Sequence, residues 1–221
     1  MWPTFAQFYN LLESISFNPK VWPRVADLLG NQWFCCLDGF LNTTEVADLR
    51  QAFKLQQEAD ALKKAGVGQD HQFTVDRSVR GDYIKWIEPK EALPAAQLFL
   101  QRVQGVLEAL NPLLFLSLKD FECHYALYPP DSFYEKHIDQ FQGSSHRLLS
   151  FACYLNPQWK EAHGGCLRLY SASGESHEIA PLAGRLVIFR SDLVPHEVLT
   201  TAVNRYSITG WLRDQPINLP Y

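Results

Sequence analysis

The sequence predicts an α+β fold in which helices pack outside a β-barrel or sandwich core, and three observations predict it. From Leu113 onward, short runs of strand-forming residues alternate with turn residues, among them Pro129-Pro130, Gly143, Gly164-Gly165 and Gly174. Short strands at that spacing are the pattern of an antiparallel sandwich or barrel. The N-terminal half instead carries long segments with apolar residues at helical period. At 221 residues, 47% apolar and 13% aromatic, the chain is large enough for one sizeable core. We therefore expect one domain: residues 1–112 as helical support with the first strands, 113–213 as the β core, and 214–221 as a short tail.

Taken in order, Asn18-Pro19 reads as an N-cap with proline at the first helical position, and Gly30 closes that helix. A strand follows at Trp33 to Leu37. Thr43 or Thr44 can cap a long helix running to about Lys64, with Val46, Leu49 and Phe53 on one face and Gly66 as its stop. The polar, aperiodic stretch 67–82 is long for a connection inside a compact domain and predicts a mobile functional loop. A strand from Tyr83 to Ile87 leads to a helix over Pro94 to Leu110, which Asn111-Pro112 should end. The core strands are predicted at 119–128, 146–155, 166–170, 175–179, 185–190 and 205–212.

Composition removes several function classes. A net charge of -4 gives no basic field to attract nucleic acid or an anionic membrane. No apolar run has the length to cross a bilayer, and the N-terminus MWPTFAQFYNLLES lacks the basic start of a secretory signal. Five cysteines, odd in number and without a CxxC pair, predict reduced thiols rather than a disulfide framework or zinc site, and a cytoplasmic location.

Chemistry concentrates near the C-terminal end. His137 and Asp139 are two residues apart, so on an extended strand both face one side. That HxD pair alone is a common surface ion pair. With His196 on a later strand it has the identity and order of a 2-His-1-carboxylate triad, which holds iron(II) on one face and leaves positions open for other ligands. Arg205 opens the segment RYSITGW, in which Arg205, Ser207, Thr209 and Trp211 share a face and Tyr206 and Ile208 take the other. An arginine on the interior face of such a strand is costly unless paired. A carboxylate matches its fork, and the carboxylate implied is that of a co-substrate, 2-oxoglutarate. Tyr154, inside FACYLN, can supply a second hydrogen bond to it.

The stretches LYPPDSFYEKHID, RLLSFACYLNPQW, GGCLRLY, GRLVIFRSDLVPHEV and NRYSITGW, with VRGDYIKW upstream, resemble the prolyl hydroxylase branch of the iron(II)/2-oxoglutarate dioxygenases, which includes the hypoxia-inducible-factor prolyl hydroxylases and their bacterial relatives. The similarity covers about residues 78–213. It implies a double-stranded β-helix (jelly-roll, cupin-like) core with N-terminal helices packed on one side. It implies iron on His137, Asp139 and His196, and 2-oxoglutarate on Arg205 and Tyr154 with Tyr128, Thr209 and Ser207 nearby. Arg147, Trp211, Arg80, Asp82 and Trp86 match residues that flank the substrate or its covering loop. O2 is the second co-substrate and L-ascorbate an auxiliary reductant. The implied activity is prolyl 4-hydroxylation in a cytosolic protein, coupled to decarboxylation of 2-oxoglutarate to succinate and CO2, with oxygen sensing as a family role. A translation elongation factor is the implied candidate partner, and the oligomeric expectation is a monomer or weak dimer. The alternatives are an oxygenase of another substrate class (a different side chain, a small molecule or nucleic acid) and an oxygen- or iron-responsive binding protein with little turnover. Two departures bear on substrate rather than iron chemistry: the short tail after Trp211, where some relatives carry a further helix, and Cys123-His124, where animal members carry a methionine near the site.

Overall fold

The computed structural model describes residues 20–66, 79–140, 146–171 and 173–216. It contains three helices, α1 (Trp22–Asn31), α2 (Thr43–Glu58) and α3 (Pro94–Leu114). Eleven strands accompany them: β1 (Phe34–Leu37), β2 (Lys63–Lys64), β3 (Tyr83–Trp86), β4 (Asp120–Tyr128), β5 (Tyr134–His137), β6 (Arg147–Tyr154), β7 (Leu167–Tyr170), β8 (Ser176–Ile179), β9 (Leu186–Arg190), β10 (His196–Val198) and β11 (Arg205–Arg213). A 7-stranded antiparallel sheet runs β1-β9-β6-β11-β4-β3-β2, and a 4-stranded sheet runs β5-β10-β7-β8.

Strand alternation divides the interior in two. On β6, Leu149, Phe151 and Cys153 face one way, as do Ile208 and Leu212 on β11, and they pack with Leu29 of α1, Phe53 of α2 and Phe99, Val103 and Leu110 of α3. The opposite face carries Ala126 and Tyr128 of β4, Ala152 and Tyr154 of β6 and Val187 and Phe189 of β9, packed against Leu167, Leu169 and Val198 of the smaller sheet. The helices thus cover one face of the large sheet, and the small sheet covers the other. Among the described residues no helix is long and apolar enough to cross a membrane.

Element boundaries depart from the sequence expectation where local chemistry competes with periodicity. Asn18 and Pro19 lie outside the described residues; α1 starts at Trp22 with Pro23 in its first turn. Its predicted closure at Gly30 falls one residue short. The cap of α2 is Asn42, not Thr43 or Thr44: Asn42 Oδ1 accepts from Glu45 N at 3.0 Å and Glu45 Oε2 accepts from Asn42 N at 2.9 Å. This helix ends at Glu58 rather than Lys64, because Lys63 and Lys64 pair with Ile84 and Tyr83 as β2. Conversely, α3 continues through Pro112 to Leu114. Proline there removes one bond in the last turn only. The side chain of Asn111 then brackets Leu118, donating to its carbonyl at 2.7 Å and accepting from its N–H at 2.6 Å, which turns the chain into β4. The predicted loop 67–82 falls outside the described residues over 67–78, while 79–82 is braced as described below.

Gly210 lets the helix-side packing close. A Cβ there would lie 2.2 Å from the Glu122 carbonyl oxygen and 2.6 Å from both Cys123 Cβ and Phe151 Cζ. A backbone carbonyl has no rotamer to retreat into. Gly210→Ala should therefore destabilise the protein by about 2 kcal/mol or more, the range of an overpacked core, and lower the midpoint of urea unfolding; an unchanged midpoint would mean that β4 and β11 slide apart at no cost.

Candidate active site

His137 ends β5 and His196 begins β10, and the two are direct cross-strand partners. Asp139 follows two residues beyond β5. One ligand atom from each of the three lies within 4.8 Å of the others. His137 Nε2 stands 3.5 Å from Asp139 Oδ1, and His196 Nε2 stands 3.7 Å from Asp139 Oδ2. The Nδ1 atoms face away: that of His137 lies 2.7 Å from the Glu135 carbonyl and that of His196 lies 3.1 Å from the Val194 carbonyl. Donating Nδ1–H to a carbonyl fixes the tautomer and leaves both Nε2 lone pairs directed at the carboxylate, which is the arrangement a metal needs. Burial, reinforced by His137, pushes His196 down to about 4, so its ring is neutral and free to ligate.

Asp139 is held by neighbours that the motif did not reveal. Its Oδ2 accepts from Ser150 Oγ at 2.6 Å and from Trp211 Nε1 at 2.8 Å. Among the described residues Oδ1 takes no such donor. Burial works to raise the carboxyl, but His196, His137 and Ser150 outweigh it and hold Asp139 well below the usual carboxylate range. Ser150 is tied in turn to Ser191 Oγ at 2.8 Å. Trp211 thus supports a candidate ligand directly. Tyr134 stacks on the His137 ring at 3.7 Å, and Phe189 lies 4.6 Å from His196. Alternation could have found Ser150, which shares the inward face of β6 with Tyr154; Tyr134 carried no signal.

Arg205 opens β11 opposite Tyr128 of β4 and is only 2% exposed. Its Nε donates to the Gly165 carbonyl at 2.8 Å. The guanidinium carbon lies 5.1 Å from the Tyr128 ring and 5.0 Å from the Tyr154 ring. No acid pairs with it among the described residues. Among the described residues Tyr154 Oη, fully buried, has no hydrogen-bond partner, and burial, opposed only in part by Arg205, pushes its pKa upward, so it remains a phenol with a proton to donate. Burial raises Tyr128 likewise. Gly165, at φ +64, makes room: a Cβ there would lie 3.2 Å from Arg205 Cδ and 3.0 Å from Thr201 Cβ. An unpaired buried guanidinium beside an orphaned phenol fits a carboxylate guest. Ser207, opposite Tyr154, and Thr209 continue the same face, their hydroxyls 3.4 Å apart.

The residues matched to substrate contacts are engaged with one another. Arg147 donates to Glu122 at 2.8 Å and lies 3.6 Å over the Trp211 ring. Arg80 makes a two-pronged pair with Asp82, at 2.7 and 2.6 Å, and lies 4.3 Å over the Tyr134 ring. Arg80 and Asp82 therefore brace β5 through Tyr134, and so steady His137 from behind. Trp86 is 38% exposed and 6.2 Å from Trp211.

Known proteins share this architecture. The family model of the 2OG-Fe(II) oxygenase superfamily matches residues 123–213. A crystal structure of a Pseudomonas putida prolyl-4-hydroxylase superposes with a TM-score of 0.80 at 37% identity, over 88% of this chain and 100% of that one. A Trichoplax adhaerens prolyl hydroxylase in complex with a hypoxia inducible factor oxygen degradation domain peptide fragment gives 0.81 at 28% identity, over 89% and 90%. Human prolyl hydroxylase EGLN3 is 29% identical over 189 residues, 82% of this chain and 78% of its own length.

The Asp139 support is testable without turnover. Trp211→Phe keeps the ring and removes the N–H. It should weaken cobalt(II) binding by about tenfold, the scale on which groups behind a metal ligand act, as measured by calorimetric titration. Unaltered affinity would reduce the indole to a packing role.

Proposed function

The chain belongs to the 2OG-Fe(II) oxygenase superfamily, in its prolyl hydroxylase branch, and on that premise we propose that it hydroxylates a prolyl residue of a cytosolic protein at C4. As a member of the family it is an oxidoreductase that uses iron(II), 2-oxoglutarate and O2. The observation that carries the reading is the pairing of a His-Asp-His cluster with a buried arginine that has no acid partner among the described residues.

In this proposal His137, Asp139 and His196 hold the iron, and Arg205 with Tyr154 holds the far carboxylate of 2-oxoglutarate. Bound iron would let O2 serve as the oxidant, one oxygen atom going to succinate as 2-oxoglutarate loses CO2 and the other to the prolyl carbon. The chain's own residues supply order. Carbonyls behind His137 and His196 fix their tautomers, Ser150 and Trp211 orient Asp139, and Tyr128 and Thr209 line the co-substrate slot beside Ser207. Phe189, Leu169 and Val198 exclude water from it, which strengthens every charged contact inside. Trp211, Trp86 and Arg147 border the side on which substrate would enter, and Arg80 and Asp82 stiffen the strand behind His137. Supporting a protein substrate is the likeness to prolyl hydroxylases, one of which is solved with a peptide bound. A translation elongation factor is the first candidate, on the resemblance to bacterial members, and L-ascorbate is the reductant to supply in assays.

The reading is tested by incubating the iron-loaded protein with 2-oxoglutarate and the purified elongation factor. Mass spectrometry should find one added oxygen on a single proline; oxidation confined to another residue type would reject prolyl hydroxylation. For the co-substrate, Arg205→Ala should raise the KM for 2-oxoglutarate by roughly 10- to 100-fold, the loss expected of a charge-assisted contact. Tyr154→Phe should raise it only a few-fold, since one neutral hydrogen bond goes. Succinate release measures both, and an unchanged KM in Arg205→Ala would remove the anchor.

A further inference from the structure

His124 is a buried histidine that neither the metal cluster nor the carboxylate slot uses. On β4 it stands opposite Thr209 of β11 and Trp86 of β3, hence on the sheet face that carries Arg205 and Trp211. Its ring lies 4.9 Å from Trp86 and 5.6 Å from Trp211. Trp211 reaches Asp139 and Trp86 reaches the surface, so the three rings form one wall from solvent to the candidate metal ligands. His124 is 3% exposed, and its Nδ1 is buried without a partner among the described residues. Burial, helped by Arg80 and Arg147, pushes it down to about 3, so the ring is neutral and keeps one N–H. An unsatisfied buried nitrogen is costly, and a polar atom left so in a native wall calls for a reason.

We propose that His124 helps bind and position the substrate by donating its ring N–H to the backbone carbonyl of the residue being oxidised. This rests on the prolyl reading. A prolyl residue has no backbone N–H, so the polar group it brings is its carbonyl, which needs a donor. In this wall the other aromatic N–H near the metal cluster, that of Trp211, is already engaged by Asp139. Trp86, which is 38% exposed, offers apolar surface to the ring of proline, and His124 beside it supplies the polar contact that an all-apolar wall would lack. A ligand that lacks this carbonyl leaves the buried donor unpaired and so binds less well.

The test uses the zinc(II)-loaded full chain with 2-oxoglutarate present, so that no turnover occurs. Two probes are titrated: N-acetyl-L-proline amide, and N-acetylpyrrolidine, which has the same ring without that carbonyl. Shifts of the tryptophan indole N–H resonances report binding. Wild type should prefer the prolyl probe by about fivefold, the worth of one hydrogen bond of this kind. His124→Leu should lose the preference, and His124→Asn, whose amide sits near the place of Nδ1, should recover part of it. Comparing two probes within each variant separates recognition from folding. Equal preference in wild type and His124→Leu would overturn the role of His124 and leave the prolyl reading standing. If neither probe shifts an indole resonance in wild type while 2-oxoglutarate still binds, the prolyl reading fails and this proposal falls with it.

Discussion

A guanidinium enclosed in an apolar interior must find an anion, and none of the described residues supplies one to Arg205. That constraint organises the inner face of the large sheet. Arg205 is held by a single bond to the Gly165 carbonyl and flanked by the rings of Tyr128 and Tyr154. Gly165 must be glycine both for its backbone angle and for the space beside the Arg205 stem. Tyr154 Oη is left without a partner at the same place. Each of these features opposes stability alone, and together they describe a slot suited to a carboxylate.

The second half of the site is assembled across the two sheets. The small sheet brings His137 and His196 face to face through the β5–β10 pairing. The large sheet contributes Ser150 of β6 and Trp211 of β11, and both hold Asp139 from behind. Asp139 is thus the point where the sheets meet chemically. The helices pack only on the far side of the large sheet, where they make it a rigid platform. The candidate site residues lie on or next to strands and the helices pack behind them, which suits a site that must hold several groups within a fraction of an ångström.

Much of this was legible in the sequence because strand parity is a strict rule. RYSITGW assigned Arg205, Ser207, Thr209 and Trp211 to one face, and the observed register agrees with it. HxD with a distant histidine picked out three residues that the structure brings within 4.8 Å of one another. Other features were hidden by interactions that periodicity does not encode. The capping box of Asn42 and Glu45 moved the start of α2, and the pairing of Lys63 and Lys64 with β3 cut its end short. Pro112 read as a stop but falls where the helix loses only one bond. Tyr134 and Ser191 serve the site through tertiary contacts alone. Trp211 was read as a substrate contact, and only the three-dimensional structure reveals its bond to Asp139.

The central claim is that the buried cradle around Arg205 exists for a distal carboxylate. Titrating cobalt(II)-loaded protein with 2-oxoglutarate and with 2-oxobutyrate, a keto acid that lacks that carboxylate, tests it directly. The account predicts that 2-oxoglutarate binds at least about tenfold more tightly, the strength of a hydrogen bond to a charged group. Equal affinity for the two acids would contradict it.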